Sequence, residues 1–86
     1  MVCTTITVIQ ATVTPNVSNL TATQGVPLGN VDLVWTQDIF GLIKITVAGV
    51  DVNTSAYSAG INQNTVTNIP VGVLTQICVV GMPTVV

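Results

Sequence analysis

Histidine, arginine and glutamate are absent from this 86-residue chain, and its charge rests on Lys44 against Asp32, Asp38 and Asp51. Charged residues make up 5% of the sequence, where an ordinary soluble domain carries about a quarter. A single cation cannot neutralise a run of phosphates, which excludes a nucleic-acid-binding protein. General acid–base catalysis needs a titratable group tuned by its neighbours. Without His or Glu, and with Lys44 alone on a strand, the chain reads as no enzyme, with no catalytic residue and no cofactor. Nor is a metal centre expected, since two distant thiols and three scattered aspartates lack ligand spacing. No apolar run reaches the ~20 residues that span a bilayer; the longest, Phe40 to Val50, is broken by Lys44 and by Gly41 and Gly49. No basic stretch precedes an apolar one at the N-terminus, so no secretion signal is visible.

A surface this poor in charge, with mean hydropathy +0.78, lacks what keeps proteins apart in water. Neighbouring copies, glycans or both are the candidates to cover it. Val, Ile and Thr dominate, and they alternate as strands do. Thr4, Ile6 and Val8 share one face of the first segment, with Cys3, Thr5 and Thr7 on the other. Further strands are expected at Ser18 to Thr23, with Leu20 and Ala22 on one side, and at Val31 to Thr36. The latter places Val31, Leu33 and Trp35 toward a core. Ile43, Ile45 and Val47 repeat the pattern with Lys44 and Thr46 outward. Asn53 to Asn64 is a polar, small-residue stretch with room for a short edge strand. Asn64 to Ile69 and Val73 to Val80 complete the set. Gly and Pro turns separate these short strands, which indicates an all-β, small antiparallel sandwich.

Asn19-Leu20-Thr21-Ala22-Thr23, followed by Asn30-Val31-Asp32-Leu33-Val34-Trp35-Thr36, resembles the opening of a fibronectin type III or related immunoglobulin-like module. Val66 to Gly72 and Ile77-Cys78-Val79-Val80-Gly81 are similar to the penultimate hairpin of such modules. Leu74 or Thr75 stands where their core Tyr is usual. The resemblance covers most of Asn16 to Gly81 and implies an immunoglobulin-like sandwich over residues 16–86. It also implies one more strand after Gly81. Met82 to Val86 is too short for it and is blunted by Pro83, whereas Cys3 to Val8 looks like that last strand moved to the front. Residues 1–15 then read as a donor strand and its linker.

Two destinations remain open for that strand. Closing onto its own sandwich requires the linker from Ile9 to Asn16 to cross back about 23 Å, the length of a seven-residue strand, nearly taut. Insertion into a neighbouring copy needs no return, and a head-to-tail contact that does not close makes an open fibre. In either case Cys3 and Cys78 would lie on adjacent strands and face outward, where a disulfide can form within or between subunits; two unpaired thiols are the plain alternative.

Asn16-Val17-Ser18, Asn19-Leu20-Thr21 and Asn53-Thr54-Ser55 match the N-glycosylation acceptor pattern, and sugars there would supply hydration that charge does not. The leading expectation is a structural subunit of an extracellular filament or cell-surface appendage, polymerised by its N-terminal strand. A viral or phage capsid or decoration protein, with the virion as its location, is the second reading. A monomeric secreted adhesin or binding module is the third.

Overall fold

The computed structural model describes residues 1–8 and 10–85. Every regular element among them is a strand: β1 (Thr12–Val13), β2 (Val17–Gln24), β3 (Val31–Gln37), β4 (Gly41–Val47), β5 (Val50–Tyr57), β6 (Gly60–Val66), β7 (Ile77–Gly81) and β8 (Thr84–Val85). They form two three-stranded sheets, ordered β2-β3-β6 and β5-β4-β7, and a small β1-β8 pair. All the pairings are antiparallel.

Alternation sets the core. Leu33 and Trp35 of β3 meet Ile43 and Ile45 of β4, all fully buried, and Val66 of β6 joins them. Val17, Val31, Val47, Tyr57, Ile69, Ile77 and Val79 pack around this centre half-covered. Val31 and Val47 face the core as expected and are half-covered, because both lie at the end of the sheets where Gln24, Val50 and Ile77 also sit. That end is the lower pole; the upper pole holds Val17, Gln37, Gly41, Tyr57, Gly60 and Gly81.

The upper pole is closed by polar chemistry. Buried Gln37 accepts a hydrogen bond from Trp35 Nε1 at 2.9 Å and another from Asn62 Nδ2 at 3.2 Å. Its own amide donates to the carbonyls of Ile39 and Tyr57, each at 3.0 Å. The bond to the Tyr57 carbonyl ties the β2-β3-β6 sheet to the other one, while those from Trp35 and Asn62 lie within the first and the one to Ile39 reaches the β3–β4 connection. Tyr57 meets Trp35 edge-on, with ring centroids 5.0 Å apart, the arrangement aromatic quadrupoles favour.

Several strands differ from the sequence expectation. Asn53 to Asn64 forms most of two strands, β5 and β6, rather than a polar stretch with one short edge strand. The expected strand from Asn64 ends at Val66, and Asn68 takes φ 61° beyond it. Thr84 and Val85 do pair, with Val13 and Thr12, despite Pro83. β7 starts at Ile77, because β4 ends opposite it at Val47 and turns back through Ala48 and Gly49, leaving Val73 to Gln76 no strand to join.

Candidate functional site: an open sandwich edge and a free arm

One lateral edge of the two-sheet body is bridged and the other is not. Between β5 and β6, Asn64 Nδ2 donates to Tyr57 Oη at 2.6 Å, and Tyr57 Oη lies 3.4 Å from Asn53 Oδ1. On the far side β2 and β7 are the outermost strands of their sheets and approach each other without pairing, but they do not close the end nearest the lower pole. A groove of about 380 Å³ runs there toward the lower pole, lined by Ala22, Leu28, Ile69, Val71, Val73 and Ile77 among others.

Register shows that this opening interrupts the core. The β2–β3 pairing shifts by one residue between Ser18 and Thr21, where Asn19 adopts φ 52°; this is a bulge. Beyond it Ala22 lies opposite Leu33 and Gln24 opposite Val31. Residues opposite each other in a sheet share a face, so Leu20, Ala22 and Gln24 face the interior side with Leu33 and Trp35. Yet Ala22 and Gln24 are exposed and Leu20 is 38% exposed. Ala22 and Gln24 border the groove, and Leu20 is only partly covered.

β7 is unfinished in the complementary way. Ala48 N–H donates to the Gln76 carbonyl and Met82 N–H to the Leu42 carbonyl, each at 2.9 Å. Even-numbered residues of this strand therefore turn their backbone groups toward β4, and the alternation of a strand turns those of Ile77 and Val79 outward. No described strand pairs with that outer side. A row of unpaired backbone groups is a template for another strand.

The first eight residues make no strand and are exposed throughout, Ile6 at 86% and Val8 at 87%. They project from the upper pole. β8 continues past Gly81, β1 returns alongside it, and Pro15 is buried against Gly41 and Gly81 at the root. Gly81 is required there, because a Cβ would fall on the Pro15 backbone. Asn16 N–H donates to Asp38 Oδ1 at 2.7 Å, and Asp38 N–H donates to the Asn16 carbonyl at 3.3 Å. The molecule consequently measures 74 × 24 × 16 Å with a radius of gyration of 18.1 Å, where a compact chain of this length has about 12 Å.

The remaining residues singled out in the sequence are dispersed. Cys3 lies on the arm and Cys78 on β7, both exposed free thiols. Asn16 and Asn19 are exposed, while Asn53 is half-buried beside Tyr57. Asp32 accepts from Thr65 Oγ1 and Asp51 from Thr54 Oγ1, each at 2.7 Å. With Asp38 at the arm's root, the aspartates serve three separate local bonds, and no cluster of metal-ligating side chains occurs among the described residues. Lys44 is half-buried on β4. Among the described residues no helix is long and apolar enough to cross a membrane. The buried Gln37 escaped sequence reading: a glutamine at a strand end carries no sign of being inside.

Comparison with protein-family models, with curated proteins and with solved structures finds no match.

Proposed function

We propose that this protein is a structural subunit of an extracellular filament or cell-surface appendage, built head-to-tail by donation of the arm to the open edge of the next copy. The observation that carries this reading is the exposure of Leu20, Ala22 and Gln24 on the interior side of β2, facing the unpaired outer side of β7. The strand pairs β3-β6 and β4-β7 match an immunoglobulin-like sandwich whose final strand, expected beside β7, is missing. Thr4, Ile6 and Val8 supply an alternating face for that vacancy. They would cover the interior side of β2 while their backbone pairs with Ile77 and Val79.

Covalent geometry disfavours closure onto self. An antiparallel strand beside β7 that reaches down to Val73 would place Val8 eight residues, roughly 26 Å, below Gly81. Thr12 is held beyond Gly81 by its pairing with Val85, and four residues from Val8 span at most about 14 Å. The free linker is shorter than the sequence implied, since Thr12 to Pro15 belong to the body. Only a strand parallel to β7 would reach in cis, against the antiparallel pattern of the pairs that form.

In trans the polarity is natural. An arm leaving one upper pole enters the next copy at its lower pole, where Val26, Leu28, Val71, Val73 and Leu74 are exposed. The thin core explains why association is useful: among the described residues it is built on Leu33, Trp35, Ile43, Ile45 and Val66. Copies and glycans at Asn16 or Asn19 would together cover a surface that has little charge, whereas Asn53, half-buried on the interior side beside Tyr57, is poorly placed to carry one. Sedimentation and electron microscopy of the full chain against a variant lacking residues 1–8 test the reading. Bead-like fibres from the full chain and none from the truncation are expected; equal fibres from both would reject it.

A further inference from the structure

We infer that the donated strand is locked in one register by a disulfide between Cys3 of one copy and Cys78 of the next, so that the filament is a covalent chain. The inference rests on the strand-donation reading and adds to it a register, a polarity and a bond. Parity limits the choices first. For Thr4, Ile6 and Val8 to face the interior, each must lie opposite an inward position of the β7 strand line, which holds Val73, Thr75, Ile77 and Val79. Ile77 and Val79 already pack on the core, whereas Cys78 is exposed. Antiparallel registers that satisfy this put Cys3 on the outer face, the face of Cys78. One of them sets Thr4 opposite Ile77, Ile6 opposite Thr75 and Val8 opposite Val73, and it brings Cys3 directly opposite Cys78.

Backbone direction then decides whether those thiols can bond. Ile77 directs its N–H and carbonyl to the free edge, so the Thr4–Ile77 pair would be hydrogen-bonded and the Cys3–Cys78 pair would not. Non-hydrogen-bonded antiparallel pairs bring Cα atoms to about 4.5 Å with side chains close, inside the roughly 4.4–6.8 Å that a disulfide accepts. The same register lays Ile6 and Val8 against Val73 and Thr75, the groove-lining segment that has no partner in the isolated chain. Val73 to Gln76 would join β7, forming the longer strand that their composition suggests.

Oxidation needs an acceptor, which is a small-molecule disulfide or the disulfide of a thiol oxidoreductase. One thiolate attacks it and expels a first thiol, giving a mixed disulfide. The second thiolate then displaces the other thiol, so two cysteine thiols lose two electrons and two protons while the acceptor gains them.

The test uses full-length chains assembled with oxidised glutathione and run under denaturing, non-reducing conditions. Wild type should give a ladder of multiples that collapses with excess thiol, with the Cys3–Cys78 peptide found by mass spectrometry in bands above monomer. A mixture of Cys3→Ser and Cys78→Ser chains should stop at dimer. A Cys3→Ser chain carrying Thr5→Cys, which shifts the thiol two residues out of register, should cross-link to Cys78 at least tenfold less. Comparable cross-linking from that variant overturns the register, as does a linked peptide confined to the monomer band. A sedimenting fibre without a ladder overturns the disulfide and leaves donation standing; material that neither sediments nor cross-links overturns both.

Discussion

Ile6 is 86% exposed in the isolated chain, so its substitution separates folding from assembly. If the arm completes a neighbour, Ile6→Ala removes a side chain that is solvated in the monomer and enclosed between β2 and β7 in the polymer. Burial-dependent truncation of Ile to Ala costs about 2–5 kcal/mol; the rim of a sandwich, less enclosed than its centre, corresponds to about 2–3 kcal/mol. That converts to a roughly 30- to 140-fold rise in the critical concentration for assembly. Sedimentation across a dilution series, with both cysteines replaced by serine, would measure it. The melting temperature of diluted, unassembled chain should stay within about a degree. A monomer contact worth the same energy would instead lower it by roughly 8–24 °C. A large fall in monomer stability with unchanged assembly would refute the reasoning, and Ile45→Ala, at a fully buried position, should show that opposite behaviour.

Gln37→Leu would strip hydrogen bonds from Trp35 Nε1, Asn62 and the carbonyls of Ile39 and Tyr57; chemical denaturation should show a loss of about 2–4 kcal/mol, built from unsatisfied groups at roughly 1–3 kcal/mol each with partial compensation by water. Ala48 and Gly49 both have positive φ, at 50° and 82°, as a type I′ hairpin requires. Ala48→Asn should therefore stabilise by a few tenths to ~1 kcal/mol in the same assay. Gly81→Ala would drive a Cβ into the Pro15 backbone, so thermal melts should show about 1–3 kcal/mol of destabilisation, with faster amide exchange at Asn16 and Asp38.

The sequence announces β3 and β4 because large apolar residues alternate there with polar ones, and their inward members became the core. β5 and β6 are hidden for the converse reason. Their interior-side positions are mostly polar, and Asn53, Asn62 and Asn64 among them pack through hydrogen bonds to Tyr57 and Gln37 rather than on apolar area. At β2 the pattern of Leu20 and Ala22 is legible, but the bulge at Asn19 and the exposure of that face are not. Val73 to Gln76 shows how local preference can exceed local opportunity: a strand forms only where another strand lies beside it. The alternation from Cys3 to Val8 reads as a strand, but the segment forms none here because no strand lies beside it, and the anchorage by Pro15 against two glycines depends on contacts remote in sequence.

A density map of the assembled material at side-chain resolution tests the central claim most directly. It should show Thr4 to Val8 antiparallel to β7 of the next copy. Removing roughly 26 Å for an eight-residue extended arm from the 74 Å length gives an axial repeat of about 48 Å. An arm lying beside β7 of its own molecule, or copies joined through other surfaces with β7 still open, would contradict the account.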